Sequence, residues 1–178
     1  MRIMQEELEG LEGHEEGPIG LAVEYGLSRV PGVAQEVERA SHAVIGCAIE
    51  VHRCLGPGLL EKLYEDALVH ELGLAGVAVE RQKPITVHYK GIELRGQRLD
   101  LVAAGSIVVE IKAVSQLMDV HKAQLVSYLR ASGLPLGLLL NFNVSTLKSG
   151  LRRVVNDRME APPSCPSSPS SSVRGGTK

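Results

Sequence analysis

Tryptophan is absent from this chain, and phenylalanine occurs once. Its core must therefore be aliphatic. Cysteine is nearly as scarce. Cys47, Cys54 and Cys165 are too few and too irregularly spaced for a disulfide framework or a zinc site. Cys47 and Cys54 lie seven positions apart, on one expected helix face, and read as buried free thiols. No stretch reaches the ~18 apolar residues needed to cross a bilayer. The opening "MRIMQEELEGLEGHEEG" also lacks the basic-then-apolar order of a signal peptide. These absences argue against a membrane partner and make a reducing cytoplasm the expected location. A dominant charge is missing too, since the formal net charge is −2.

That near-neutral total hides a division along the chain. Residues 1–40 carry three basic and nine acidic residues, whereas 41–178 carry sixteen basic and twelve acidic. A mildly basic body thus follows an acidic, partly disordered leader. Such a body permits a polyanionic partner without requiring one. Residues 157–178, ending in "APPSCPSSPSSSVRGGTK", form a proline–serine tail that cannot bury enough surface to order itself. One domain is expected over 41–156.

Within that domain the hydrophobic period changes twice. "SHAVIGCAIEVHRCLG" reads as a helix, with Ser41 as its N-cap and Gly56 as its stop, preceded by a short helix around Val33 to Arg39. A second helix is expected from about Leu59 to Leu72, with Leu60, Leu63, Tyr64, Ala67 and Leu68 as its apolar face. From Val77 the period becomes two. "VAVERQ", "ITVHY", "IELRGQRLDLVA" and "SIVVEIKA" read as strands, with a hairpin turn at Lys90-Gly91. "QLMDVHKAQLVSYLRASG" is an amphipathic helix stopped by Gly133. "PLGLLLNF" is apolar throughout and reads as a strand buried on both faces. "LRRVV" offers a last strand. The expected class is α/β: a mixed central sheet flanked by helices.

The chemistry concentrates in the hairpin around Ala104-Gly105. Alternation of side chains makes the parity of the turn decisive. A three-residue loop, Ala104 to Ser106, sets Asp100 opposite Glu110 and puts Lys112 on the same face. The other face then carries Leu99, Leu101, Ile107, Val109 and Ile111. An even loop would bury Asp100 among aliphatic side chains. Two opposed carboxylates repel, and Lys112 offsets only part of that repulsion. Hard oxygen ligands of this kind suit magnesium or manganese. Such an ion polarises a phosphoryl oxygen and activates water, while Lys112 could orient the water or stabilise charge on phosphorus. From the pattern alone an edge hairpin with a solvated polar face is the commoner reading, since an isolated Asp plus Glu-x-Lys arises often by accident.

Two further features bear on that choice. Leu117, His121, Gln124 and Tyr128 form one stripe on the helix after Lys112, either a half-buried boundary or a wall of the site. Glu61 heads the second helix on the side of Tyr64 and Leu68. It is either a carboxylate favoured by the helix dipole or one aimed at the same metal.

Taken together, "GLLEKLY", "IGCAIEVHRCLGPG", "LDLV", "VVEIKAV", "HKAQLVSYL" and "GLLLNF" give the chain a resemblance over about residues 41–155. It resembles the bacterial GxxExxY proteins of the PD-(D/E)xK nuclease superfamily, with Gly58, Glu61 and Tyr64 on the naming motif. The resemblance implies a restriction-endonuclease-like core. Asp100, Glu110 and Lys112 match the Asp…Glu-x-Lys motif, and Gln124 and Tyr128 match the Gln-x-x-x-Tyr motif of the RecB-like branch. Glu61 matches the helix carboxylate that completes the metal shell, giving Glu61, Asp100 and Glu110 as metal residues. Leu99 stands where the superfamily name has proline, and Asn143 where these proteins have glycine. The implied activity is Mg2+- or Mn2+-dependent hydrolysis of DNA or RNA, leaving 5′-phosphates.

Arg81, Lys83, Lys90, Arg95, Arg98, Lys122 and Arg130 are the basic residues available to phosphates. A homodimer would be one way to build a more basic groove. The contrasting reading is a non-catalytic nucleic-acid-binding or regulatory module on the same fold, since fold does not fix function. A purely structural subunit is a third.

Overall fold

The computed structural model describes residues 32–157. The acidic leader up to residue 31 and the proline–serine tail from residue 158, with Cys165, lie outside the described residues.

Helix α1 spans Gln35–Leu55. The short leading helix and the helix expected from Ser41 are therefore one element. Ser41 is not a cap: it is buried, and its hydroxyl donates to the Glu38 carbonyl one turn back, at 2.9 Å. Acidic Glu36 and Glu38 in the first turn complement the helix dipole. Cys47 is buried as expected, and burial pushes its thiol up to about 11. Cys54 is exposed instead, with its thiol donating to Glu50.

Helix α2 spans Glu61–Leu74. Its buried flank is Tyr64, Glu65, Leu68 and Leu72. Leu60 and Leu63, expected on that face, are exposed, because only one flank of α2 meets α1 and the sheet.

The sheet has five strands in sequence order: β1 Val79–Tyr89, β2 Ile92–Ala103, β3 Ile107–Lys112, β4 Leu136–Asn141 and β5 Leu151–Val155. "VAVERQ" and "ITVHY" thus join in one strand, even though Gln82 within it has φ 47°. Lys90 and Gly91, both with positive φ, make the tight turn expected between β1 and β2. Only β3 and β4 are parallel; their crossover carries helix α3, Asp119–Ser132, which Gly133 ends in the left-handed region. Every residue of β4 is buried, as its unbroken apolar sequence predicts. A single-turn helix α4, Leu147–Gly150, leads into β5.

The sheet separates two apolar clusters. One contains Val44, Ile45, Tyr64, Leu68, Leu101, Val109 and Phe142 beneath α1 and α2. The other contains Leu99, Val102, Val108, Leu125, Tyr128 and Leu129 beneath α3. The one phenylalanine stacks on Tyr64 at 4.5 Å between ring centroids, so a single aromatic pair anchors the cluster beneath α1 and α2, and Tyr128 is the aromatic of the other.

Candidate active site

The β2–β3 turn has the odd length that the burial argument requires. Ala103 pairs with Ile107, Val102 with Val108 and Leu101 with Val109. Ala104 and Gly105 both take positive φ. One part of the expected pattern fails. Leu99 packs on the α3 side with Val102, while Leu101 packs on the α1–α2 side. The alternation therefore changes phase at Asp100, opposite the stretch of β1 where Gln82 takes positive φ. Asp100 is half-buried, and its Oδ2 accepts a hydrogen bond from the Ile111 backbone N–H at 3.0 Å.

Glu110 is almost fully buried, at 2% exposure. Lys112 Nζ donates to its Oε1 at 2.6 Å. Its Oε2 is buried with no hydrogen-bond partner. Burial first, and then the Asp100 carboxylate, push the Glu110 carboxyl up to about 7 against the opposing pull of Lys112. Burial also raises Asp100, with the Ile111 N–H and Lys112 acting against it. Burial works against the Lys112 ammonium, but the hydrogen bond and charge of Glu110 outweigh it and raise the pKa. Lys112 is therefore a cation at neutral pH.

Glu61 reaches the same strand end from α2. Its Oε1 accepts from the Ala113 backbone N–H at 3.0 Å, and the residue is exposed rather than set among hydrocarbon. The loop before it is held by Tyr64, whose hydroxyl donates to the Gly56 carbonyl at 2.7 Å and accepts from the Leu59 N–H at 3.1 Å. Gly58 within that loop has φ 102°, a conformation other residues resist. Glycine, glutamate and tyrosine at this spacing thus build the loop and aim the carboxylate.

Gln124 and Tyr128 lie on the α3 side. Gln124 donates to the Tyr128 hydroxyl at 2.7 Å, and that hydroxyl donates to Gln97 Oε1 at 3.1 Å. Their hydrogen bonds thus run to β2, three residues before Asp100, and not to either carboxylate or to Lys112. His121, on the same stripe, accepts from the Met118 N–H at the helix start.

Sequence reasoning missed Glu65, one turn beyond Glu61 on α2. It is buried, and it accepts from Arg81 at 2.7 Å and from Gln82 at 3.0 Å. Its negative charge also contributes to the raised pKa of Asp100. The i, i+4 spacing from Glu61 was the available signal. Arg81, expected to face phosphate, is instead held by Glu65 and Asp66. Lys83, Arg95 and Arg130 are likewise engaged, by Glu80, Glu93 and Asp157.

The donor set suits a hard divalent cation in one respect and limits it in another. A buried carboxylate oxygen without a partner, beside a second carboxylate, is what an ion would satisfy. Among the described residues, however, no group of three or more His, Cys, Asp and Glu side chains converges to hold an ion. The expected trio of Glu61, Asp100 and Glu110 is thus not assembled as a direct shell. Two carboxylates with the remaining positions left to water and substrate is a normal arrangement for magnesium. Among the described residues no helix is long and apolar enough to cross a membrane.

No curated protein and no solved structure matches the chain. A family profile described as the PD-(D/E)XK nuclease superfamily matches residues 38–154, a span running from the first turns of α1 to β5 and holding every candidate residue above. Nucleases of this superfamily typically use divalent metals. By that match, and with a five-stranded mixed sheet between helices, the chain belongs to the PD-(D/E)XK nuclease superfamily.

Proposed function

We propose that this chain is a Mg2+- or Mn2+-dependent nuclease of the GxxExxY type that hydrolyses phosphodiester bonds in DNA or RNA. One observation carries the reading: Glu110 Oε2 is buried without a partner beside Asp100, while Lys112 holds the other oxygen. Asp100 and Glu110 hold the ion, and Glu61 assists through water. The bound ion supplies polarisation of the phosphoryl oxygen and activation of water. Lys112, kept protonated by Glu110, orients the attacking water and stabilises charge gathering on phosphorus. Gln124 and Tyr128, the residues that suggest the RecB-like branch, act through Gln97 by holding β2 where Asp100 is presented. The free thiols of Cys47 and Cys54 accord with a cytoplasmic setting.

The second reading is a non-catalytic nucleic-acid-binding or regulatory module. Its support is the basic side chains already engaged by acidic neighbours, which leave little groove charge free for phosphate. Nothing among the described residues supports a homodimer as the remedy.

The test is incubation with single-stranded, duplex and branched DNA and RNA in Mg2+ or Mn2+. The wild type should cut at least one of these and stop on chelation. Glu110→Gln and Lys112→Met should each lose roughly 10²-fold or more. Cutting that survives Glu110→Gln would refute the assignment.

A further inference from the structure

Strands β1 and β2 run well past the rest of the sheet. Every residue from Val87 to Arg98 is exposed. In this projecting arm Val87 pairs with Leu94 and Tyr89 with Ile92. Directly opposed residues share a face, as do alternate ones along a strand. All four large apolar side chains of the arm therefore lie on one side, each open to solvent at 38% to 55%. An aromatic and three aliphatic residues on one open face are more than a solvated hairpin needs for its own pairing.

The charge of the arm has one dominant sign. Lys90, Arg95 and Arg98 stand against the single acidic residue Glu93. Glu93 is taken by Arg95 at 2.7 Å. Among the described residues Lys90 and Arg98 make no ion pair, and Lys90 sits 5.6 Å above the Tyr89 ring. Among the described residues they are two of six lysines and arginines outside any ion pair, the others being Arg39, Lys122, Lys148 and Arg152.

The arm is also continuous with the site. Strand β2 passes from Ile92 through Gly96 to Asp100 without interruption. Leu94 lies six residues before Asp100. At ~3.3 Å per residue that is about 20 Å. Between Ile85 and Val87 the register shifts, with Arg95 and Gly96 (φ 116°) on the longer side. A bulge of this kind bends and twists a ribbon away from the plane of its sheet.

We propose that the β1–β2 arm is a duplex-DNA contact that lies in the major groove beside the cleavage position. It rests on the nuclease reading for the class of partner. Two strands ~4.8 Å apart, with their side chains, fit a B-form major groove about 12 Å wide, whereas the deep, narrow groove of A-form RNA excludes them. Lys90 and Arg98 contact phosphates on the groove walls. Val87, Tyr89, Ile92 and Leu94 present an apolar strip to the base edges, where thymine methyl groups offer apolar contact. A reach of at most about 20 Å puts the contact within roughly six nucleotides of the scissile bond.

The test uses the full chain and fluorescence anisotropy, with a 30-base-pair DNA duplex, the matching RNA duplex and a single strand. The wild type is compared with Tyr89→Ser/Ile92→Ser and with Lys90→Gln/Arg98→Gln. Metal affinity and thermal midpoint are measured on the same samples. The expected result is preference for duplex DNA, roughly tenfold or more weaker binding in both variants, and unchanged metal affinity. In the charge variant the slope of log K against log salt should fall by about 2. Unchanged DNA affinity in both variants would overturn the proposal, as would arm-dependent preference for RNA or for single strands. So would sedimentation of the wild type as a dimer that Tyr89→Ser/Ile92→Ser dissociates while DNA affinity is kept. If no metal binding depends on Asp100 but the arm variants still lose DNA, the arm assignment stands and the catalytic reading falls.

Discussion

At the residue scale the site depends on one carboxyl group. Glu110 is pushed up to about 7, so the folded protein holds its proton more tightly than the unfolded chain does. A raised carboxyl contributes stability that is complete below its unfolded pKa and is lost as pH rises through the folded one. The metal-free protein should therefore lose on the order of 3 kcal/mol between about pH 5 and about pH 8. Urea denaturation at the two pH values checks this, and Glu110→Gln should flatten the difference. On the proposed metal reading the proton and the ion would compete for the Glu110 oxygens, so divalent-metal affinity should rise across the same window. The odd turn was legible in the sequence, because burial alone requires Ala103 to oppose Ile107. The phase change that sends Leu99 to the α3 side was not. It accompanies a positive φ at Gln82, which no pattern of apolar residues encodes.

At the element scale, β4 and the turn after it hold the site strand in place. The Asn141 side chain accepts from the Val114 N–H at 3.1 Å and donates to the Val114 carbonyl at 2.8 Å, fixing the chain just past Lys112. Two glycines leave room for this packing. A Cβ on Gly137 would meet the Leu125 side chain at 2.8 Å, and one on Gly150 would meet the Asn141 backbone oxygen at 2.3 Å. Leu125 can shift a little, whereas backbone cannot. Gly137→Ala should therefore cost about 1–3 kcal/mol as an overpacked core, and Gly150→Ala should cost more and weaken metal binding as well. Chemical denaturation with metal titration separates the two. The strands were readable from period and turn residues. The exposure of Leu60 and Leu63 was not, since an apolar helical stripe does not say which flank finds a partner.

At the scale of the whole molecule, the first and last elements are tied together. Arg153 on β5 pairs with Glu38 on α1 and donates to Ser41 at 3.1 Å, with the side chains of the ion pair 10% and 6% exposed. A domain boundary at residue 41, natural from composition, removes Glu38 and the first turns of α1. Breaking a buried pair by losing one partner costs about 3–5 kcal/mol. A fragment covering 41–156 should be less stable by that order than one covering 32–157, as thermal unfolding of the two would show. Composition marks where charge density changes, but it does not reveal a contact between segments more than a hundred residues apart.

The most direct test of the central claim is titration calorimetry with Mg2+ and Mn2+, wild type beside Asp100→Ala, each preparation also assayed for cleavage. The account predicts binding in the wild type, its loss in the variant, and metal-dependent cleavage lost with it. Equal metal binding by the two proteins, or none by either, would contradict a metal centre built on Asp100 and Glu110.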